Sequence, residues 1–241
     1  MIRVERIPLE EELDKKLGRR SLRLARRNAN SESARRSWKG ASVEKAGIRD
    51  ALFRVASGIE RCMYCGDSRG TDIDHFQPIA LAPLRTFDWG NHLLACSSCN
   101  SNAKRDAYPC DQNGQSLLVD PSVEDPADHL RLALTEGVYT GLTPKGCITI
   151  NVFQLNRVDL RKGRADAFMR CKSMLRDYHN LEISGKSEEA ENTKIALQRH
   201  PFADVLHAMY RIADFPGAAV VLGGPDILAV LKIWRTDSVN T

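Results

Sequence analysis

The residues best suited to chemistry lie between two Cys-x-x-Cys pairs. The pairs are Cys62/Cys65 and Cys96/Cys99, with 30 residues between them. Each pair brings two thiolates together in a tight turn, and two such turns supply the four ligands of a tetrahedral structural zinc site. Gly66 follows the first pair, where such a turn often needs a positive φ. A redox pair and chance pairing are the alternatives, and the polar residues between the pairs favour zinc over both.

The insert between the pairs carries groups suited to phosphodiester hydrolysis. Asp74 and His75 are adjacent, and Asn100 directly follows the last cysteine. Carboxylate and amide oxygens are hard ligands for Mg²⁺ or Mn²⁺, and a neutral imidazole is a suitable base. Neighbouring strand residues point to opposite faces, so a bulge or strand end would have to bring Asp74 and His75 to one site. Asn100 and Lys104 are four apart, so a helix would place them on one face.

The elements that must position these groups follow from periodicity and breaker residues. A helix is predicted over 9–30, a polar loop over 28–40, and a second helix from Ser42 to Gly58. Further predictions are a hairpin, long and short helices, and a helix boundary at Pro201. The hairpin strands are Val138–Thr140 and Cys147–Val152, and the helices are 158–181, 187–199, 202–214 and a last one from Pro225 to near Trp234.

Composition and charge limit the class of protein. The chain has 241 residues, 42% hydrophobic, with a net charge of +4. No apolar run is long enough for a membrane span, and the N-terminus does not suit a signal peptide, so a cytoplasmic protein is expected. Between Lys15 and Arg49, 12 basic residues face two acids, which is typical either of a phosphate-binding surface or of a solvated helix face. No phosphate loop is present, so nucleotide hydrolysis is not expected.

The run Cys-x-x-Cys, Asp-x-Asp-His, Asn-His-Leu-Leu-x-Cys-x-x-Cys-Asn and Lys resembles the four-cysteine branch of the HNH endonucleases. The resemblance covers about 50 residues. Fainter similarity, in Ala107-Tyr108-Pro109, Leu117–Pro121 and Leu155-Asn156-Arg157, extends it to the PtuB-type HNH nucleases of Septu and retron-linked anti-phage systems. That group implies a DNA-cleaving effector working beside a separate ATPase.

The resemblance implies a role for each matching position. His75 corresponds to the general base, Asn91 to the residue that braces the loop orienting it, and Lys104 to a basic residue that meets phosphate or the hairpin. Asp74 and Asn100 correspond to ligands of a catalytic Mg²⁺ or Mn²⁺. The structural zinc ligands correspond to Cys62, Cys65, Cys96 and Cys99.

The chain departs from the family in one spacing. The lysine commonly falls three residues after the asparagine, whereas here it falls four after Asn100. Asn102 therefore remains an alternative metal ligand, and His92 and Asp72 are further candidates. A non-catalytic zinc module that binds nucleic acid or protein, and an RNA-cleaving nuclease, remain alternative functions.

The sequence as a whole predicts an α+β protein. Its centre would be a zinc-stabilised ββα-metal finger, flanked by mostly helical regions. The predicted regions are a basic helical N-terminal arm over 1–60, the nuclease module over 61–110 and a C-terminal region over 111–241.

Overall fold

A computed structural model describes residues 1–239, with side chains through Arg235; Asn240 and Thr241, the end of the predicted C-terminal region, lie outside the described residues. The fold is α+β, as predicted. Its helices are α1 Glu11–Arg26, α2 Ser31–Lys39, α3 Ser42–Val55, a π-helix Ser98–Lys104, α4 Pro144–Val152, α5 Val158–Ile183, α6 Ser187–Arg199, α7 Ala203–Ile212, α8 Ala218–Leu222 and α9 Pro225–Val239. Its strands are β1 Asp72–His75, β2 His92–Ala95, β3 Leu130–Ala133 and β4 Val138–Gly141.

The central hairpin pairs β1 with β2. The strands are antiparallel, with Asp72 opposite Ala95 and His75 opposite His92. β2 is buried along its whole length, so it forms the inner strand of the pair. The second Cys-x-x-Cys begins one residue after β2 ends and leads directly into the π-helix. Hairpin and helix together form the ββα unit that the sequence predicts.

The N-terminal region differs from the prediction at residues 28–40. The polar segment expected to be a loop forms α2, so that prediction is wrong. The Asn30 side chain accepts a hydrogen bond from the Ser33 amide and caps the helix, while Glu32 and Lys39 carry charges that suit the helix dipole at its two ends. Capping and end charges outweighed a composition that looks loop-like.

The prediction of the second hairpin is wrong in the strands that it pairs. β4 pairs with β3, and the predicted second strand at Cys147–Val152 is instead most of α4. Thr143 caps α4 by accepting a hydrogen bond from Gly146 N, and Pro144 occupies its first turn. Proline is well tolerated there because the first-turn amides have no helical partner. The β-branched alternation of this segment was therefore a weaker signal than its cap.

The remaining helices confirm the pattern-based predictions closely. α5, α6 and α7 lie where helices were predicted, and the chain breaks at His200-Pro201. α9 extends past Trp234 to Val239, and the short α8 was not predicted. One hydrophobic cluster joins the three predicted regions, with members such as Ile48, Leu94 and Phe153. None of the helices in residues 1–239 is both long and apolar enough to cross a bilayer.

Removing the α2 cap should destabilise the protein measurably. We expect Asn30→Ala to lower the free energy of unfolding by about 1 kcal/mol, because Ser33 N loses its acceptor. Urea denaturation followed by circular dichroism measures this change. Asn30→Asp is the matched control and should retain wild-type stability, since its carboxylate also caps. Equal losses in both variants would contradict the capping role.

Candidate active site and metal centre

The four cysteines of the two pairs converge on one point. Their sulfur atoms all lie within 4.8 Å of one another, and all four residues are buried. The Sγ atoms of Cys65 and Cys96 are 3.9 Å apart. A tetrahedron with Zn–S bonds of ~2.3 Å has edges of about 3.8 Å. The cluster therefore fits a structural metal such as zinc.

The backbone around the cysteines has the geometry of two metal-binding turns. Gly66 has φ +70° and its amide donates to the Cys62 carbonyl over 2.9 Å. The Met63 amide donates to the Leu94 carbonyl over 2.9 Å, which ties the first turn to β2. The second turn connects β2 to the π-helix. A metal held by both turns would thus fix the helix against the hairpin.

The helix that contains Cys99 is a π-helix, with wider turns than an α-helix. The Asn102 amide bonds to the Ser97 carbonyl and the Arg105 amide to the Asn100 carbonyl, each five residues back. Such turns accommodate one extra residue and often occur at functional sites. The turn offers a physical account of the four-residue spacing between Asn100 and Lys104, since both side chains still contact β1.

The two carboxylates of β1 lie on the face that the π-helix covers. Asp72 Oδ2 accepts from Asn100 Nδ2 and from Ser101 Oγ, each over 3.2 Å. Asp74, two residues on, accepts from Lys104 Nζ over 3.0 Å. Residues two apart on a strand share a face, so the helix contacts both carboxylates in register.

Asp74 lies in a closed polar pocket. It is 3% exposed, and its second oxygen accepts from the Tyr64 hydroxyl over 2.5 Å. Lys104 is 1% exposed and also donates to the His75 carbonyl over 2.8 Å. Burial, with the Asp74 charge next in effect, raises the pKa of Tyr64 well above its usual value, so it donates as a neutral hydroxyl. Both partners of Asp74 are donors, which keeps the buried carboxylate compensated.

His75 is the last residue of β1, and its ring lies against the loop that carries Thr86. Its Nε2 lies 3.0 Å from the Thr86 carbonyl oxygen, and His92 Nε2 lies 3.0 Å from the same atom. A carbonyl only accepts, so each imidazole carries its proton on Nε2. Burial lowers the pKa of His75 and lowers that of His92 further, which favours neutral rings. His75 Nδ1 is therefore left as the basic nitrogen.

The loop that carries Thr86 is held by Asn91. The Asn91 side chain accepts from Gln77 N over 2.8 Å and donates to the Gln77 and Arg85 carbonyls over 3.0 and 3.3 Å. These bonds close the loop between β1 and β2 around the carbonyl that receives His75. The resemblance implies a bracing role for this position.

The structure brings some of the predicted site residues into contact and leaves others apart. Asp74 and Lys104 are in direct contact, whereas Asn100 contacts Asp72 rather than Asp74. Asn102 is exposed and its side chain has no hydrogen-bond partner among residues 1–239. Within that range, the cysteine cluster is the group of three or more Cys, His, Asp or Glu side chains whose ligand atoms converge.

Three contributions to the site were missed in the sequence. The Thr86 carbonyl is a backbone atom, so no residue type signals it. Arg6, in the N-terminal arm, donates to the carbonyls of Trp89, Gly90 and His92 at 2.9–3.1 Å and so holds the start of β2. Tyr64 lies inside the first Cys-x-x-Cys pair, and its position between two metal ligands was the signal available for it.

Loss of one cysteine of the cluster should remove both the bound metal, expected to be zinc, and the fold. Structural zinc contributes about 10–16 kcal/mol in small domains, which exceeds the stability of most proteins. We expect Cys96→Ser to lose its bound zinc and its cooperative thermal transition, measured by elemental analysis and circular dichroism. Cys110→Ser is the matched control because Cys110 is exposed and outside the cluster. A metal-free Cys96→Ser protein with wild-type melting would contradict the structural role.

Comparison with known proteins agrees with this geometry. The family model described as HNH endonuclease matches residues 62–106. Two curated relatives are both named Septu protein PtuB. The one from Bacillus thuringiensis is 26% identical over 117 residues, 46% of this chain and 42% of the relative. The one from Bacillus mycoides (strain KBAB4) is 24% identical over 148 residues, 49% of this chain and 50% of the relative.

The aligned part of the chain spans half or less of the length of these relatives. No solved structure shows significant similarity to the chain. The matched family segment begins at the first zinc-ligand candidate, Cys62, and ends just after Lys104. It covers the hairpin, both cysteine turns and the π-helix. Residues 62–106 therefore form an HNH endonuclease domain.

Proposed function

We propose that this protein is a metal-dependent endonuclease that hydrolyses DNA phosphodiester bonds as the effector of a bacterial anti-phage system, together with a separate ATPase. The observation that carries the proposal is the state of His75. Its Nε2–H is committed to the Thr86 carbonyl, so Nδ1 is the nitrogen that is free to accept a proton. An HNH domain whose histidine is held in one tautomer is prepared for general-base chemistry.

The side-chain oxygens of Asp72, Asp74 and Asn100 are of the type that suits a hard divalent cation. Asp74 and Asn100 would hold it, with Asp72 as a further oxygen donor, and Asp74 would then exchange its bond from Lys104 or from Tyr64 for the cation. Asn100 donates its amide nitrogen to Asp72, which leaves its carbonyl oxygen available, whereas Asn102 points into solvent. This favours Asn100 over Asn102. A bound Mg²⁺ or Mn²⁺ would supply charge stabilisation for the phosphoryl and leaving oxygens.

Each of the site residues would then have a separate role in the reaction. His75 Nδ1 takes a proton from water as the water oxygen bonds to phosphorus and the phosphorus–oxygen bond to the leaving group breaks. The Thr86 carbonyl and the Asn91-braced loop hold the imidazole in place. Lys104 fixes Asp74 through its ammonium and ties the π-helix to the backbone of His75.

The N-terminal arm supports binding to a polyanion. Arg23, Arg26 and Arg27, at the end of α1, are exposed and form no ion pair with residues in the described range. Exposed, uncompensated guanidinium groups bind phosphates and release counterions, so affinity should fall steeply with salt. The two PtuB relatives, which carry the name of a Septu protein, support a place in defence. The missing phosphate loop fits a division of labour with a separate ATPase but does not establish it.

Plasmid cleavage tests the function directly. We expect cutting of supercoiled plasmid with Mg²⁺ or Mn²⁺, none with EDTA, and a loss on the order of 10²–10⁴-fold in His75→Ala, because the general base is removed. His179→Ala is the matched control, since that histidine lies on α5 outside the site. Substituting RNA for plasmid separates DNA from RNA cleavage.

Two results would count against the proposal. Wild-type cutting by His75→Ala would exclude His75 as the base. Absence of cutting by the wild-type protein, alone and with an ATPase encoded beside it, would favour the alternative of a zinc module that only binds nucleic acid or protein.

The catalytic cation should depend on Asn100 and not on Asn102. We expect Asn100→Ala to weaken Mn²⁺ binding to the zinc-loaded protein by at least about tenfold, the equivalent of about 1.4 kcal/mol, because an oxygen ligand is lost. Electron paramagnetic resonance of free Mn²⁺ measures the affinity. Asn102→Ala, two residues away on the same helix, should bind Mn²⁺ as the wild type does; the reverse order would assign the ligand to Asn102.

A further inference from the structure

One wall of the imidazole site comes from outside the HNH domain. Trp38, on α2, lies edge-on to His75 with ring centroids 4.6 Å apart and stacks on His92 at 5.3 Å. Phe87 packs on the indole at 5.6 Å. The two imidazoles also meet each other edge-on at 4.9 Å. One tryptophan of the arm therefore contacts both rings that share the Thr86 carbonyl.

A single hydrogen bond does not fix an imidazole. The bond from His75 Nε2 to Thr86 is the one hydrogen bond among the described residues that opposes rotation of the ring about its Cβ–Cγ bond. A half-turn would exchange Nδ1 with a carbon atom and break the bond to Thr86. The indole of Trp38 opposes this rotation through its edge-to-face contact with His75.

His92 also helps to hold the Thr86 carbonyl that orients His75. It is fully buried, and its Nδ1 has no hydrogen-bond partner among the described residues. Its ring is held by the Thr86 carbonyl and by stacking on Trp38. Without the indole, His92 would be free to turn, and the carbonyl that it shares with His75 would lose a donor.

Contacts of α2 and of the indole ring hold Trp38 in place. Arg35 donates two hydrogen bonds to the Asp106 carboxylate, just beyond the π-helix. The Lys45 ammonium lies over the Trp38 ring, 5.9 Å from its centroid. Asn30 caps the helix that carries both Trp38 and Arg35. These contacts place α2 against the nuclease domain rather than in solvent.

We propose that Trp38 is a positioning residue of the nuclease site, which holds His75 in the orientation and tautomer that present Nδ1 to water. The inference rests on the proposed role of His75 as general base. It assigns part of the active site to the N-terminal arm, beyond residues 62–106.

The test measures the tautomer of each histidine directly and does not require catalytic activity. Long-range ¹H–¹⁵N correlation spectra of the zinc-loaded full chain report which nitrogen of each histidine carries the proton, and the signal lost in His75→Ala identifies His75. We expect one Nε2–H form in the wild type. Trp38→Ala and Trp38→Leu should give broadened or mixed signals for His75, and Trp38→Phe should restore the single form. Leucine fills space and protects folding, which thermal melting verifies.

Phe53→Ala is the matched control. Phe53 is a partly buried aromatic residue of the same arm, packed against Arg69 and away from both imidazoles. Its loss should leave the histidine signals unchanged. In cleavage assays Trp38→Ala should lower kcat on the order of 10²-fold with little change in KM, because a small misplacement of the base slows the chemical step and not binding.

The outcomes separate this inference from the proposed function. Folded Trp38→Ala and Trp38→Leu proteins that keep the wild-type tautomer would overturn the inference, whatever the wild-type enzyme cuts. Mixed tautomers in these two variants, together with a single tautomer in Trp38→Phe and in Phe53→Ala, would support the inference. A failure of the wild-type protein to cleave DNA would then count against the nuclease proposal alone.

Discussion

The convergence of four cysteine sulfurs within 4.8 Å is the constraint on which the rest of the site depends. One turn is bonded to β2 through Met63 N, and the other joins β2 to the π-helix. A short hairpin and a two-turn helix have too little apolar surface to define their own relative position. A metal in this cluster would join them into one unit, in which Asn100 contacts Asp72 and Lys104 contacts Asp74.

The site also draws on segments far away in sequence. Arg6 holds the carbonyls at the start of β2, and Trp38 lies against both imidazoles. Their shared hydrophobic cluster runs from the N-terminal arm through the hairpin to α5. The nuclease domain therefore lies within a larger core, and its chemistry is exposed to changes in the packing of the arm.

The resemblance to the HNH endonucleases predicted the ββα unit, and local patterns in the sequence predicted the cysteine cluster and the long helices. They failed where short-range capping decided the structure, at α2 and α4, and where the contact is made by the backbone. Residue spacing suggested that a helix would present Asn100 and Lys104 together, but not that Asp72 would be the partner of Asn100. That pairing depends on the register between helix and strand, which only the folded chain sets.

The acceptor that orders both imidazoles is a main-chain oxygen. Substituting the Thr86 side chain leaves that oxygen in place but removes the buried hydroxyl that donates to the Pro83 carbonyl over 2.6 Å, so a scan of side chains would report this second contact and not the role of the carbonyl. Replacing its peptide linkage by an ester, or changing the length of the loop by one residue, would reach it. The position of this acceptor is thus set by the path of the loop backbone, which the length of the loop helps to determine.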